Sequence, residues 1–309
     1  MSISIHSDFD GGNIEVTTIE GGSAKLAIRR DKDSDFYQWF YFRVDGAAGQ
    51  ALELRITNCA GSAYPLGWPD YRACVSGDNN DWLRAPTSYN NGVLTIRHTP
   101  DADTVWFAYF APYTMDRHTA LIDRIAGVPH VGHRVLGNTL DGRALDMLTI
   151  GEGPLQIWLY ARQHPGETMA EWWMEGALDL LVSDETAAVQ LRAAATFYVV
   201  PNMNPDGSAR GNLRSNASVA VLATANTSRI HGTALRNAHR CAWLPNAITT
   251  SASTIVHDPS WSSGRSVRSA LGAPANAAAA ASSASARAAC GLCPPSSHSS
   301  ASAARAASP

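Results

Sequence analysis

Two short apolar segments with an amphipathic segment between them constrain the fold most strongly. The segments "LQIWLY" (155–160) and "TFYVV" (196–200) are nearly continuous apolar runs, typical of strands buried on both faces. Over 168–182 the apolar residues recur at i, i+3 and i+4 and share one helical face. Thr168 and Glu171, three residues apart, predict a capping box at its start. The order strand, helix, strand predicts a βαβ unit with parallel strands and a right-handed crossover.

The first 112 residues predict a separate, antiparallel β-sandwich. Short runs rich in β-branched and aromatic residues follow one another, separated by turn clusters such as "DFDGGN" and "SYNNGV". The runs are "NIEVTTI", "AKLAIRR", "FYQWFYFRV", "ALELRIT", "GVLTIRH" and "TVWFAYF". The aromatic content of "FYQWFYF" indicates a strand covered at least partly on both faces. We therefore assign residues 1–112 to an amino-terminal β domain.

Residues 113–216 form the second predicted domain, of the α/β class. "RVLGNT" and "LDMLTIG" predict a hairpin around "LDGR", and the βαβ unit follows. Parallel strands place the loops that follow them at the same edge of a sheet, where open α/β folds bind ligands. One such loop contains His164 and Glu167, and the other contains "PNMNPDG" (201–207). A functional site is expected at this edge.

His164 and Glu167 are candidate metal ligands, because imidazole and carboxylate are both ordinary ligands of zinc. A catalytic zinc site needs three protein ligands and an open position for water. In the second loop, the asparagines of "PNMNPDGSARGNLRSN" (201–216) can brace the chain through bonds to the backbone. Arg214 is a permanent cation that can polarise a carbonyl oxygen or bind a carboxylate. A surface loop without function remains the alternative for either motif alone.

Together, "HPGETMAEWWMEG" and "VPNMNPDGSARGNLRSN" resemble the zinc metallocarboxypeptidases, specifically the cytosolic carboxypeptidase-like subfamily. "DFDGGN", "WFYFRV" and "YFAPYT" resemble the amino-terminal β-sandwich of that subfamily. The resemblance covers roughly residues 8–216 and implies a carboxypeptidase-like α/β zinc-hydrolase domain, here incomplete.

The resemblance also implies an activity and roles for four residues. The expected reaction is hydrolysis of the C-terminal peptide bond of a peptide or protein, with Zn²⁺ as the cofactor. His164 and Glu167 match the first two zinc ligands. Arg214 matches the arginine that polarises the scissile carbonyl, and Asn204 is expected beside it in substrate binding.

The family pattern stops after Asn216. The expected Leu-Asn-Arg segment is missing, and none of His231, His239 and His257 has the setting of the third zinc ligand. No glutamate follows residue 185, so the general base that the resemblance implies is missing as well. We therefore expect no peptidase turnover from the chain as written.

Residues 217–309 differ from the rest in composition and are expected to be disordered. Alanine and serine make up 44 of these 93 residues (26 and 18), and Glu, Lys, Gln, Met, Phe and Tyr are absent. Either this tail is a wrong reading frame, which we favour, or it is real and the protein is a non-catalytic relative. On both accounts the second sheet is expected to end with an exposed apolar edge, and the chain to be marginally stable.

Charge and composition argue against some classes of binding partner. Residues 1–216 carry 26 acidic residues against 17 Lys and Arg, which argues against nucleic acid as a partner. The first residues lack a secretory signal pattern and no apolar run reaches membrane-spanning length, so we expect a cytoplasmic protein without membrane contact. Five irregularly spaced cysteines do not indicate a disulfide framework, and the sequence gives no oligomeric state.

Two other functions remain open from the sequence. One is a related zinc amidohydrolase of the aspartoacylase type, whose first motif has Gly-Asn rather than Pro-Gly character between the ligands and which lacks the β-sandwich. The other is a binding module built on the β-sandwich, without catalysis.

Overall fold

The computed structural model describes residues 2–218 and 253–257 of the chain. These residues form three five-stranded sheets and four α-helices. The first two sheets lie in the amino-terminal part, and the third sheet carries the helices in the part that follows. None of the helices in these ranges has the length and apolar character needed to cross a membrane.

The amino-terminal part contains ten strands that pair into two sheets around one aromatic-rich core. The sheets have the orders β1-β4-β10-β6-β7 and β2-β3-β5-β9-β8. The strands are β1 (Ser4–His6), β2 (Glu15–Glu20), β3 (Ser23–Ala27), β4 (Tyr41–Asp45), β5 (Leu52–Ile56), β6 (Cys74–Ser76), β7 (Leu83–Arg84), β8 (Thr87–Asn90), β9 (Val93–His98) and β10 (Val105–Ala108). Pairing is antiparallel except between β3 and β5, which run parallel. The predicted β-sandwich is confirmed, with this one departure from antiparallel pairing.

The aromatic segment before and within β4 is buried on both faces, as its composition predicted. Trp39, Phe40, Tyr41 and Phe42 are each at most 3% exposed. The ring of Phe42 stacks on Phe107 of β10, with centroids 5.5 Å apart. The aromatic residues therefore form the core of the sandwich.

The third sheet contains the predicted hairpin and βαβ unit. It has the order β11-β12-β14-β13-β15, with strands β11 (Val131–Asn138), β12 (Ala144–Ile150), β13 (Leu155–Tyr160), β14 (Ala195–Val200) and β15 (Ser253–His257). The helices are α1 (Met115–Ala126), α2 (Met169–Val182), α3 (Thr186–Ala194) and α4 (Pro205–Arg210). β11 and β12 are antiparallel, and β13 and β14 are parallel. The predicted hairpin and the parallel pairing of the predicted βαβ unit are confirmed.

The helix α1 was not predicted from the sequence. Thr114 caps it, accepting a hydrogen bond from the Arg117 amide, and Leu121, Ile122 and Ile125 pack into the core beside the third sheet. The signal was a threonine N-cap followed by apolar residues at helical spacing.

The exposed apolar edge expected for the sheet of the second domain does not occur at β13. The outer edge of β13 pairs antiparallel with β15, from Gln156 opposite His257 to Tyr160 opposite Ser253. Backbone groups of β13 are therefore hydrogen-bonded on both sides, and β15 is the end strand on that side of the sheet. Apart from residues 217–218 and this strand, the predicted tail lies outside the described residues.

The sandwich contacts the last turn of α4 and the segment that follows it. The Gly11 amide donates to Ala209 O at 2.8 Å, and Asn13 Nδ2 donates to Gly211 O at 3.0 Å. Gly211 has a φ of +69°, and a Cβ there would lie 2.6 Å from Gly12 O. Leu213 packs in the sandwich core. The two parts of the chain therefore meet backbone to backbone at this segment.

Candidate metal centre

The loop after β13 is held in shape by the side chain of Arg162. This arginine is 3% exposed and has a φ of +56°, which is unfavourable for a non-glycine residue. Its Nε donates to Pro165 O at 2.7 Å, and its Nη1 donates to Tyr113 O at 3.1 Å. The Nη1 also donates to Glu171 Oε2 at 2.6 Å. These buried bonds stabilise the bend on which His164 and Glu167 lie.

His164 and Glu167 point their polar atoms at one another. His164 Nδ1 lies 3.0 Å from Glu167 Oε2, and the two side chains are 13% and 31% exposed. With zinc bonds of about 2.0–2.2 Å, two ligand atoms on a tetrahedral ion lie about 3.3 Å apart. The donor types and their spacing therefore fit two positions of a zinc site.

The capping-box interpretation of Thr168 and Glu171 is wrong, although α2 begins next to Thr168 as predicted. Thr168 Oγ1 donates to Ala111 O at 2.9 Å instead of capping the helix. Glu171 is fully buried, and its carboxylate binds His118 Nδ1 at 2.6 Å and Asn202 Nδ2 at 3.2 Å, besides Arg162. The charged hydrogen bonds between this carboxylate and its donors stabilise the fold more than a single bond to the end of a helix would.

A chain of polar groups continues from Glu171 towards the surface. His118, 4% exposed, lies between Glu171 and Asp146, and its Nε2 is 3.7 Å from Asp146 Oδ2. Asp146 Oδ1 lies 2.8 Å from Nε2 of the half-buried His133. Burial lowers the pKa of His118, but the nearby carboxylates of Asp146 and Glu171 outweigh burial and raise the pKa to about 9. His118 is therefore a buried cation between two carboxylates.

The pH dependence of stability is expected to show this buried cation. Because the pKa of His118 rises from 6.5 in its ordinary state to about 9 in the fold, its contribution is complete below pH 6.5. It is lost as the pH rises through 9. Urea midpoints measured between pH 6 and 10 should fall over that window in the wild type and lose this slope in His118→Gln. The exposed-histidine variant His6→Gln should keep the slope, and a loss there would contradict the assignment.

Asparagines brace the loop that follows β14. Asn204 is 2% exposed; its Oδ1 accepts from the Gly207 amide at 3.0 Å, and its Nδ2 donates to Gln163 O at 3.2 Å. Asn202 connects this loop to Glu171. The predicted bracing is confirmed, and the contacts of Asn204 tie the two site loops together.

Arg214 lies beside the two candidate ligands. Its Nη2 is 3.0 Å from His164 Nε2, and its Nη1 is 3.9 Å from Glu167 Oε1. Because a guanidinium only donates, Nε2 accepts here, and Nδ1 of His164 carries the proton that faces Glu167. Three residues from two loops, fifty positions apart in sequence, thus meet at the edge where the parallel strands predicted a site.

A third zinc ligand is not provided by residues 2–218. Among these residues, no group of three or more His, Cys, Asp and Glu side chains could hold a metal ion. His231 and His239 lie outside these ranges. His257 ends β15, the strand next to β13.

Several residues that shape the site were missed in the sequence. Glu171 was assigned to a helix cap, and Arg162, His118 and the buried Asp31 were not singled out. The only sequence signal was the position of Arg162 and Glu171 beside the His164–Glu167 motif. Contacts of His118 and Asp31 depend on packing between distant segments, which a local pattern does not show.

Two family profiles match successive parts of the chain. The cytosolic carboxypeptidase N-terminal domain matches residues 5–110, and the zinc carboxypeptidase family matches residues 119–266. The second match includes the loops that carry His164, Glu167 and Arg214, and it extends through β15.

Individual proteins are also similar to this chain over most of its length. An uncharacterized protein of Zymomonas mobilis is 56% identical over 72% of this chain and 59% of its own length. Cytosolic carboxypeptidase 1 of Mus musculus is 30% identical over 70% of this chain and 22% of its own length. A metallo-carboxypeptidase from Pseudomonas aeruginosa, solved with (2-guanidinoethylmercapto)succinic acid, is 39% identical with a TM-score of 0.68, over 71% of this chain and 60% of that one. The chain thus spans less than two thirds of each of these proteins.

Proposed function

The chain belongs to the zinc carboxypeptidase family, with a cytosolic carboxypeptidase N-terminal domain, and from this we propose a zinc-dependent carboxypeptidase site at His164, Glu167 and Arg214. The substrate would be the C-terminus of a peptide or protein. We further propose that residues 1–112 and 113–216 are its two domains, and that 217–309 is an aberrant tail that leaves this chain without turnover. The names of the cytosolic relatives support a cytoplasmic location.

One observation carries the proposal. His164 Nδ1 and Glu167 Oε2 lie 3.0 Å apart, and the Arg214 guanidinium lies 3.0 Å from the other nitrogen of the same imidazole. Two zinc donors and a permanent cation within one small volume suit the hydrolysis of a peptide bond, in which negative charge develops on the carbonyl oxygen.

Each residue has a distinct part. His164 and Glu167 would hold the ion; for His164 Nδ1 to bind it, the imidazole proton must move to Nε2, and the hydrogen bond from Arg214 Nη2 to Nε2 must be released. A zinc ion held there would supply a Lewis acid and a water with a pKa lowered to about 7. Arg214 would then bind the substrate's carbonyl or carboxylate oxygen through its planar fork of N–H donors. Asn204 would support that substrate contact indirectly, by holding the loop that follows β14 in place.

Two observations concern where the proposed aberrant tail begins. The zinc carboxypeptidase match reaches residue 266, and β15 pairs with β13 over Ser253–His257. The proposal that the chain lacks turnover depends instead on composition: after residue 185 there is no glutamate that could act as the general base.

A turnover assay tests the function. The full chain with added zinc and a peptide with a blocked amino terminus should release no C-terminal residue. A chain in which another reading frame after codon 216 restores a late glutamate should release it, and Glu167→Ala in that chain should abolish release. Zinc-dependent release by the chain as written, absent in Glu167→Ala, would overturn the proposed inactivity but keep the site. Failure of the restored chain to bind zinc would overturn the site itself.

A further inference from the structure

A carboxylate of the β-sandwich binds the backbone around Arg214. Asp31 is 2% exposed, and its Oδ1 accepts from the Leu213 amide at 2.6 Å. Its Oδ2 accepts from the Arg214 amide at 2.9 Å and from both the amide and the hydroxyl of Ser215 at 2.8 Å. Four donors from three consecutive residues therefore converge on one buried carboxylate, which fixes the backbone from which the Arg214 side chain extends.

The same side of the sandwich also contacts the Arg214 side chain. The guanidinium carbon lies 5.7 Å from the centroid of the Phe36 ring and 6.0 Å from that of Tyr64, and the Tyr64 hydroxyl is hydrogen-bonded to Nη1. The rings are 37% and 47% exposed. Tyr64 is in turn fixed by the fully buried Gln38, whose Oε1 accepts from the Tyr64 amide at 2.6 Å and whose Nε2 donates to Tyr64 O at 3.1 Å.

The loop that carries Asp31 is itself ordered by local bonds. The Asp31 amide donates to Phe36 O at 2.9 Å, and the Ser34 amide donates to Asp31 O at 3.1 Å. The carboxylate that holds the Arg214 backbone and the ring beside its guanidinium therefore belong to one closed loop of the sandwich.

We propose that Asp31 is a positioning residue for Arg214 and that the β-sandwich forms one wall of the carboxypeptidase site. The inference rests on the proposed role of Arg214 in binding a substrate oxygen. Asp31 does not touch the substrate; it places the guanidinium beside His164, with Phe36 and Tyr64 on its outer side. The sandwich is on this account a part of the site and not a separate binding module.

The first test reads the position of Arg214 without metal, ligand or turnover. Arginine side-chain ¹H–¹⁵N spectra of the full chain are compared, with the Arg214 signal assigned by its loss in Arg214→Lys. The signal should shift or broaden in Asp31→Asn and less so in Ser215→Ala, which removes one of the four donors. Asp35→Asn, in the same loop but exposed and paired with Arg30, should leave it unchanged.

An unchanged Arg214 signal in a folded Asp31→Asn protein would overturn the proposal. If Asp31→Asn fails to fold, Ser215→Ala decides, because it leaves the carboxylate and its backbone donors in place. A Ser215→Ala signal identical to that of the wild type would then count against the proposal.

The second test is a double-mutant cycle on ligand binding by the zinc-loaded full chain, with (2-guanidinoethylmercapto)succinic acid as the probe. Asp31→Asn and Arg214→Ala should each weaken binding, by about tenfold or more for loss of a charged hydrogen bond. The double variant should bind no more weakly than Arg214→Ala. If the two losses multiply, Asp31 acts independently of Arg214 and the proposal is wrong. If the wild type does not bind the probe, the tail of the chain as written leaves the site unable to hold it, and the guanidinium spectra alone decide the role of Asp31.

Discussion

Replacing Glu171 with alanine is expected to lower the free energy of unfolding by about 3–5 kcal/mol, the range typical for removing one partner of a buried ion pair. The carboxylate is fully buried and accepts from Arg162, His118 and Asn202. Without it, two buried cations and an amide lose their acceptor while remaining shielded from water. Urea unfolding of the full chain, followed by far-UV circular dichroism, measures the effect.

A neighbouring glutamate on the same helix provides the control. Glu175 is 19% exposed and pairs with Arg117 and Arg124, whose side chains are 35% and 49% exposed, so water can replace the lost partner. Glu175→Ala should therefore shift the urea midpoint less than Glu171→Ala. Glu171→Gln keeps the shape and an oxygen acceptor, so its loss of stability should fall between the two. Equal midpoints for Glu171→Ala and Glu175→Ala would show that the buried network does not stabilise the fold.

Loss of the imidazole of His164 is expected to weaken zinc binding by more than about 100-fold. Substitution of residues that merely orient a metal ligand costs about 10–100-fold, so removal of a ligand itself should cost more. His164→Ala deletes one of only two candidate donors that the described residues bring together. Competition between the full chain and a chelating dye measures the affinity directly.

A second histidine variant tests whether the loss of zinc affinity is specific to His164. His130 is exposed in the turn between α1 and β11, and His130→Ala should leave the zinc affinity unchanged. Glu167→Ala should weaken binding like His164→Ala, because both donors face the same point. Wild-type affinity in His164→Ala would place any bound zinc elsewhere in the chain and remove the basis of the proposed site.

The parts of the fold that could be predicted are those governed by local periodicity. The bounds of β13 agree residue for residue with the apolar run that predicted it, and β14 begins one residue earlier than predicted. The parallel pairing of these strands brought His164 and Arg214 to one edge, as the topology implied. Alternation and helical spacing determine such elements without information about distant segments.

The parts that could not be predicted depend on contacts between segments far apart in sequence. Glu171 has the right spacing from Thr168 for a capping box, yet it turns inward because Arg162 and His118 offer stronger, charged donors. The strand β15 lies in a segment whose composition predicted disorder, but an unpaired edge of β13 favours any strand that can bond to it. In both cases tertiary contacts override the local sequence preference.

The bonds between Asp31 and the Leu213 segment have a consequence for how the protein is made. The carboxylate precedes the first amide that it accepts from by 182 residues. At a synthesis rate of about 5–20 residues per second, the ribosome takes roughly 10–40 s to produce that distance. The sandwich strands, all complete by Ala108, can fold during this interval. The guanidinium side of the candidate centre would therefore be assembled during synthesis after the sandwich strands, onto a sandwich that has already formed.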